Sequence, residues 1–69
     1  MNIAKALKQI RWQNQVTQRE MAKYLCISSS YLCEIENDKK SPSLSLIVAF
    51  GDKFNLKASE VVKLAEEMA

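Results

Sequence analysis

Apolar residues recur at helical spacing in several stretches of the chain, and short polar stretches separate them. In the first stretch Ile3, Leu7 and Ile10 share one face, while lysine and glutamine side chains fall outside it. Such a stripe, with a period of about 3.6 residues, is typical of an amphipathic helix. We therefore predict a first helix from Asn2 to Gln13, with Asn2 as its cap.

Residues 18–37 carry two short helical patterns only a few residues apart, with one break near Cys26. The apolar or small residues of this segment are Met21, Ala22, Leu25, Ile27, Leu32 and Ile35. The first three stack on one helix face, the last two stack on another, and Ile27 fills the corner between the helices. A small residue at Ala22 lets the two helices cross closely. This spacing is the one that a helix-turn-helix requires.

Polar residues mark where these two helices begin. Thr17, followed three residues later by Glu20, is the pattern of a capping box and predicts a helix over residues 18–25. Ser28 is the expected cap of the next helix, which we place at residues 29–36.

The next part of the chain predicts an exposed loop and a fourth helix. Asn37 suits a left-handed stop, and the only apolar residue of the loop at 38–42 is a proline. Ser43 is the expected cap of the fourth helix, and Asn55 its end. The broad apolar face of this helix is formed by Leu44, Ile47, Val48, Phe50 and Phe54. A glycine inside a helix costs stability, so we interpret Gly51 as a close packing contact with a neighbour.

The last helix is predicted over residues 58–68. Its apolar residues are Val61, Val62, Leu64, Ala65 and Met68. This set is too wide for one buried stripe and suggests a second apolar surface. A chain of 69 residues with 48% apolar content permits one domain, residues 1–69, with one modest core. Valine, isoleucine and threonine are too scattered for strands, so the predicted fold class is all-α.

Composition excludes several classes of protein. No apolar run approaches the roughly 20 residues that a bilayer requires, and no signal-peptide pattern is present, so we expect a soluble cytoplasmic protein without a membrane partner. The chain has no histidine and no glycine-rich phosphate loop, and it shows no paired carboxylates in a plausible cleft, which argues against an enzyme. Cys26 and Cys33 are seven residues apart with a helix break between them, so a disulfide between them is not expected. Without histidine a four-ligand zinc site cannot form either, and we interpret both cysteines as buried or passive thiols. We expect no metal, no cofactor and no small-molecule ligand.

The net charge of +2 is unevenly distributed along the chain. Residues 1–24 hold five basic side chains against Glu20 alone, which gives +4, and the remainder therefore sums to −2. A mildly basic half is compatible with a surface that faces phosphates, but it does not establish one.

Ten residues stand in an order and spacing that is characteristic as a set. They are Arg11, Thr17, Gln18, Ala22, Ile27, Ser28, Glu36, Asn37, Pro42 and Ser43. Because of these residues, the chain resembles the phage Cro and repressor family of XRE-type helix-turn-helix proteins. The resemblance extends from Ile3 to Val62. The resemblance implies a compact five-helix, lambda-repressor-like DNA-binding domain whose helix-turn-helix is formed by helices two and three.

Three positions depart from the family pattern. Gln15, Cys26 and Asp38 stand where the family usually has glycine. Each site would favour a left-handed backbone, and a residue other than glycine there costs on the order of 1 kcal/mol. Asp is tolerated better than Gln or Cys at such a site.

By resemblance, the third helix enters the major groove of double-stranded DNA. The residues expected to contact bases are Ser29, Ser30, Tyr31 and Glu34. Glu34 can accept from the amino group of cytosine, and Tyr31 can contact a thymine methyl or a phosphate. Two alternatives stay open: serines at a helix start often act only as caps, and Glu34 can be a solvated side chain repelled by phosphates.

Flanking residues are expected to hold the phosphates. They are Thr17, Gln18, Ser28, Asn37, Lys39, Lys40 and Ser41. In the family the glutamine at position 18 has two roles, since its amide meets a phosphate and its side chain braces the recognition helix. The amides at the start of helix two add the attraction of the helix dipole. Ordinary helix-start polarity and plain solvated lysines are the alternatives, and for Ser28 the capping role comes first.

Two further groups follow from the same resemblance. Arg11 and Glu36 are expected to pair across helices one and three. Trp12 is not part of the resemblance: it lies beside Arg11 on the polar side of helix one, and we interpret it as half-buried packing and not as a binding residue. In this family the second apolar surface of the last helix typically meets a partner subunit. The residues expected at that dimer interface are Leu56, Ala58, Val61, Val62 and Met68.

The resulting hypothesis is a sequence-specific transcriptional regulator, a Cro-like repressor that binds a palindromic operator as a homodimer in a bacterial or phage-infected cell. Half-sites would lie about 34 Å apart. A DNA-binding antitoxin or restriction-control regulator is an alternative within the same class. A different class also stays open: an antirepressor-like protein-interaction module that keeps the fold without binding DNA, which the low net charge and Glu34 would suit.

Overall fold

The computed structural model describes residues 1–68, which form five helices joined by short turns. The helices are α1 (Ile3–Gln13), α2 (Gln18–Leu25), α3 (Ser29–Glu36), α4 (Leu44–Lys53) and α5 (Ala58–Glu67). No strand occurs among the described residues, so the all-α prediction is confirmed. Over the same residues, no helix combines the length and apolar character needed to cross a membrane.

Side-chain caps begin the first four helices. Asn2 Oδ1 accepts from the amide of Lys5, and Thr17, Ser28 and Ser43 each accept through their hydroxyl from the amide three residues later. Each of these residues satisfies an amide that has no partner inside its own helix. The caps predicted from the sequence are therefore confirmed, and they explain why the helix starts are as predicted.

The core lies where the five helices meet. Helix α1 packs against α5 and α3, α2 packs against α3 and α4, and α4 packs against α5. The buried cluster is formed by Leu7, Ile10, Met21, Ala22, Leu32, Ile35, Ile47, Phe50 and Val61. Ala22 of α2 is 1% exposed where α2 packs against α3, as expected for a small residue at a close crossing. This core fixes the helix-turn-helix on α1, α4 and α5.

Each turn between helices contains one residue with a left-handed backbone. These residues are Gln15 (φ 58°), Cys26 (φ 59°), Asp38 (φ 62°) and Asn55 (φ 59°). The first three stand where the family pattern has glycine, so the expected left-handed geometry is confirmed at each. A side chain at such a φ costs on the order of 1 kcal/mol.

The prediction of a left-handed stop at Asn37 is wrong. Asn37 has φ −97°, and the left-handed residue is Asp38, one position later. From there the amides of Asp38 and Lys39 reach back to the carbonyls of Ile35 and Glu34, at 3.1 and 2.8 Å. These bonds satisfy the last carbonyls of α3, so the reversal must come one residue after the cap.

Of the two alternatives given for Cys26, a buried or a passive thiol, the first is wrong, because its side chain is exposed. Replacing Cys26 with glycine is expected to raise the free energy of unfolding by up to about 1 kcal/mol, because glycine adopts this φ without strain. Urea denaturation followed by circular dichroism measures the change. Cys26→Ala is the matched control, because it removes the thiol and keeps the Cβ. An equal gain in both variants would show that the thiol, not the backbone, carries the cost.

Gly51 lies at a close approach between α4 and the turn that follows it. A Cβ built on Gly51 would stand 2.5 Å from the carbonyl oxygen of Leu56. The amide of Leu56 in turn donates to the Gly51 carbonyl at 2.9 Å. The interpretation of this glycine as a packing contact is confirmed: the turn backbone comes nearest, and Val61 Cγ2 of α5 lies 3.5 Å from the same Cβ position.

Candidate nucleic-acid interface

Helix α3 presents a serine pair to solvent and keeps its opposite face in the core. Ser29 and Ser30 are exposed in its first turn, whereas Leu32 and Ile35 are fully buried. Tyr31, Cys33 and Glu34 are half-buried along the sides of the helix. The face available to a ligand is therefore short, polar and uncharged at the amino end of the helix.

The hydroxyl of Ser28 has a structural role at the start of α3. Its Oγ accepts a hydrogen bond from the amide of Tyr31 at 3.0 Å. The side chain is exposed, so the hydroxyl proton can still point outward.

The amino end of α2 is closed by a reciprocal pair of hydrogen bonds. Thr17 Oγ1 accepts from the amide of Glu20 at 3.1 Å, and Glu20 Oε1 accepts from the amide of Thr17 at 3.1 Å. The amides of Gln18 and Arg19 have no partner within the helix because of their position in its first turn. They lie at the positive end of the helix dipole, where an anion is stabilised.

The hydrogen bond from the Thr17 amide holds the pKa of Glu20 below its ordinary value. The Thr17 hydroxyl lowers this pKa further, and Lys53 adds a smaller coulombic effect. Because the pKa is lower in the folded protein, the stabilisation from this carboxylate is complete above the unfolded pKa. It is lost as the pH falls through the lower folded value.

A buried network ties α1, α2 and α3 together beneath this surface. Arg11 Nε and Nη2 donate to Glu36 Oε2 and Oε1, at 2.8 and 2.9 Å, and the two residues are 6% and 4% exposed. Gln18 Nε2 donates to Glu36 Oε1 at 3.0 Å, and Arg11 Nη1 donates to the carbonyl of Val16 at 2.8 Å. The start of α2 is thereby attached to the end of α3. Spacing alone gave no indication of the bond to Val16.

The loop between α3 and α4 supplies the exposed polar groups on the other side of α3. Asn37, Lys39, Lys40 and Ser41 are all exposed. Asn37 Nδ2 donates to Cys33 Sγ at 3.2 Å, so part of its amide is already engaged. The two lysines carry the positive charge of this loop.

Arg19 is an exposed cation for which no role was predicted from the sequence. It lies in the first turn of α2, next to Gln18 and the unpartnered helix amides. The signal was present in the sequence, because a basic residue directly after a helix cap stands beside the positive end of the dipole. A cation is unfavourable at that end unless an anion binds there.

The residues expected at a dimer interface do not all lie on the surface. Leu56, Ala58, Val62 and Met68 are half-buried, whereas Val61 is 0% exposed in the core beside Gly51. Val61 therefore has no surface to offer a partner, because the core-facing side of α5 is centred on it and on Ala65.

Among the described residues, other large apolar side chains are more exposed than these. They are Met1, Trp12, Tyr24, Leu44 and Val48. The interpretation of Trp12 as half-buried packing is wrong, because its side chain is 64% exposed. It lies on the side of α1 opposite the core.

Comparison with known proteins gives a consistent result. The helix-turn-helix family profile matches residues 7–61. The immunity repressor protein of Bacillus phage phi105 is 34% identical over 62 residues, covering 90% of this chain and 43% of the repressor. The chain thus spans less than half the length of that relative.

Two crystal structures of the clp gene regulator ClgR from Corynebacterium glutamicum have the same fold. They superpose with TM-scores of 0.89 and 0.87 at 28% and 29% sequence identity. The matches cover 94% and 97% of this chain, and 69% and 88% of the two ClgR chains. These relatives are gene regulators and not enzymes, in agreement with the expectation from the sequence.

Proposed function

Because the chain belongs to the helix-turn-helix family, we propose that it is a transcriptional regulator that binds double-stranded DNA through α3. The observation that carries this proposal is the exposed serine pair, Ser29 and Ser30, on a helix whose other face is locked in the core. Base edges in the major groove are read by polar side chains held in this way on a rigid helix. The buried Glu36 network at the other end of α3 supports that rigidity.

Phosphate contacts would flank the serine pair on two sides. On one side lie Thr17, Gln18 and the amides that begin α2, to which we add the exposed Arg19. On the other side lie Ser28 and the loop residues Asn37, Lys39, Lys40 and Ser41. Such contacts fix the register of the helix on the duplex without reading sequence.

Within this interface Glu34 and Tyr31 have secondary roles. Both are half-buried beside the serines, so their tips can reach a base edge only at the margin of the contact. Glu34 would select cytosine by accepting from its amino group. Serines are short, so sequence selection by Ser29 and Ser30 alone would be weak.

We further propose that the protein acts as a repressor and binds a palindromic operator as a homodimer in the cytoplasm of a bacterial or phage-infected cell. Similarity to a phage immunity repressor supports the repressor role. The half-buried apolar residues of the α4–α5 turn and of α5 support self-association. They are Leu56, Ala58, Val62 and Met68. A two-fold dimer would match a two-fold operator.

Binding to a pool of random duplexes tests the DNA proposal. We expect binding at low salt and enrichment of a palindromic sequence after repeated selection. Sedimentation across concentration, with and without the selected duplex, measures the dimer separately. A protein that does not bind duplex DNA at low salt would contradict the proposal and favour the protein-interaction module.

Replacing Lys39 and Lys40 with alanine is expected to weaken binding to all duplexes alike. Each lost phosphate contact should reduce the slope of log affinity against log salt by about 1. The matched control is Lys63→Ala paired with Lys23→Ala, since both lysines are exposed and lie outside the proposed contacts. If the control pair lowered the slope as much, the loop lysines would have no special role.

A further inference from the structure

The exposed Trp12 borders a surface groove that the DNA proposal leaves unused. The groove has a volume of about 740 Å³ and lies between α1 and the end of α5. It is lined by Lys5, Lys8, Gln9, Trp12, Gln13 and Met68. Of these only Met68 belongs to the proposed dimer surface, and no residue of the proposed DNA contact is among them. A tryptophan that is 64% exposed is a large apolar surface whose burial by a partner would be favourable.

The charged side chains that line this groove are both basic. Helix α1 contains three basic side chains and no acidic one, and Glu36 already neutralises Arg11. Lys5 and Lys8 therefore carry the outward charge, and the Lys8 ammonium lies 5.6 Å from the centre of the Trp12 ring. Among residues 1–68, which the structure describes, none with a carboxylate lines the groove.

We propose that this groove binds an acidic segment of a partner protein. Carboxylates of the segment would pair with Lys5 and Lys8, and an aromatic or aliphatic side chain would cover Trp12. The pairing follows from charge complementarity, which steers encounter and sets specificity, while the tryptophan supplies the buried apolar anchor.

A peptide fits this site better than duplex DNA does. The phosphates of a duplex could pair with the lysines, but its stacked base pairs would leave the apolar surface of Trp12 uncovered. The adjoining groove shares Gln13 and is lined by two carboxylates, Glu60 and Glu67, against one lysine, Lys63. Its net negative charge would repel a broad anionic duplex. A single extended segment is narrower than a duplex and can lie in the basic groove alone.

Trp12 is the only tryptophan, so its fluorescence reports directly on the groove. The probe is a pool of short synthetic peptides in which aspartate or glutamate alternates with leucine or phenylalanine. We expect saturable binding with a blue shift of the emission. Matched pools with lysine in place of the acids, or serine in place of the apolar residues, should bind at least about tenfold more weakly.

Variants then locate the binding. Lys5→Glu with Lys8→Glu should weaken binding of the acidic pool by about tenfold or more, measured by anisotropy of a labelled peptide. Lys23→Glu with Lys63→Glu changes the net charge equally and should alter affinity by less than about twofold. Trp12→Ala should weaken binding while the circular dichroism spectrum stays unchanged.

Three results would overturn the proposal: no blue shift across the acidic pool, equal loss in both charge-reversal pairs, or a larger emission shift with duplex or single-stranded DNA than with peptide. The readouts need no operator, so they stand apart from the test of DNA binding.

Discussion

Replacing Arg11 with methionine is expected to lower the free energy of unfolding by about 3 to 5 kcal/mol, because it leaves the buried Glu36 carboxylate without its cation. Two charged hydrogen bonds to Glu36 disappear, and the carbonyl of Val16 loses its donor. Gln18 still donates to Glu36, but one neutral donor cannot offset the desolvation of a carboxylate that is 4% exposed. Urea denaturation followed by circular dichroism measures the loss.

The double variant Arg11→Met with Glu36→Leu is the informative control. Because it removes both charges and keeps apolar volume between α1 and α3, it should recover a large part of the stability lost by either single variant. Should Arg11→Met cost less than about 1 kcal/mol, the pair would be solvated in solution. The buried network would then not hold the recognition helix.

Gly51→Ala is expected to destabilise the protein, although alanine is the better helix former. Inside an ordinary helix this change would gain about 1 kcal/mol. Here the new Cβ would stand 2.5 Å from the carbonyl oxygen of Leu56. That oxygen is backbone, and the amide of the same residue is held by its hydrogen bond to the Gly51 carbonyl. Overpacking of this kind typically costs about 1 to 3 kcal/mol, and the α4–α5 turn must move to relieve it.

The neighbouring Asp52→Ala provides the comparison, since Asp52 is exposed in the same helix. It should be neutral or slightly stabilising, as expected from helix propensity alone. Thermal unfolding of both variants measures the difference. A Gly51→Ala protein that melts at or above the temperature of the unsubstituted protein would show that the turn yields without cost.

The helices were predictable because their starts are encoded locally. An Asn, Thr or Ser before each of the first four helices satisfies an amide within three residues, so a short window of sequence contains the whole interaction. The small Ala22 and the helical Gly51 were informative for a similar reason, since each is a costly or unusual choice unless something packs closely there.

The errors have a different physical origin. Whether Val61 or Val62 faces the core depends on the rotation of α5 against α1 and α4, and a wide apolar set does not define that rotation. Trp12 was placed on the polar side of helix one, and how far a side chain there is covered depends on its neighbours in the fold, which spacing alone does not show. Asn37 and Asp38 are both acceptable in a left-handed stop; the family's glycine position indicated Asp38, and the bonds that close α3 agree with it.

The bond pattern around Glu36 also bears on how the helix-turn-helix could be transplanted. Residues 18–36 look like a portable unit, yet the carboxylate at its end is completed by Arg11, 25 positions earlier in the chain. A graft of α2 and α3 alone onto another scaffold would bring a buried anion without its counterion. Such a chimera should fold well only if the host helix supplies an arginine at the matching place, or if Glu36 is replaced by an apolar residue.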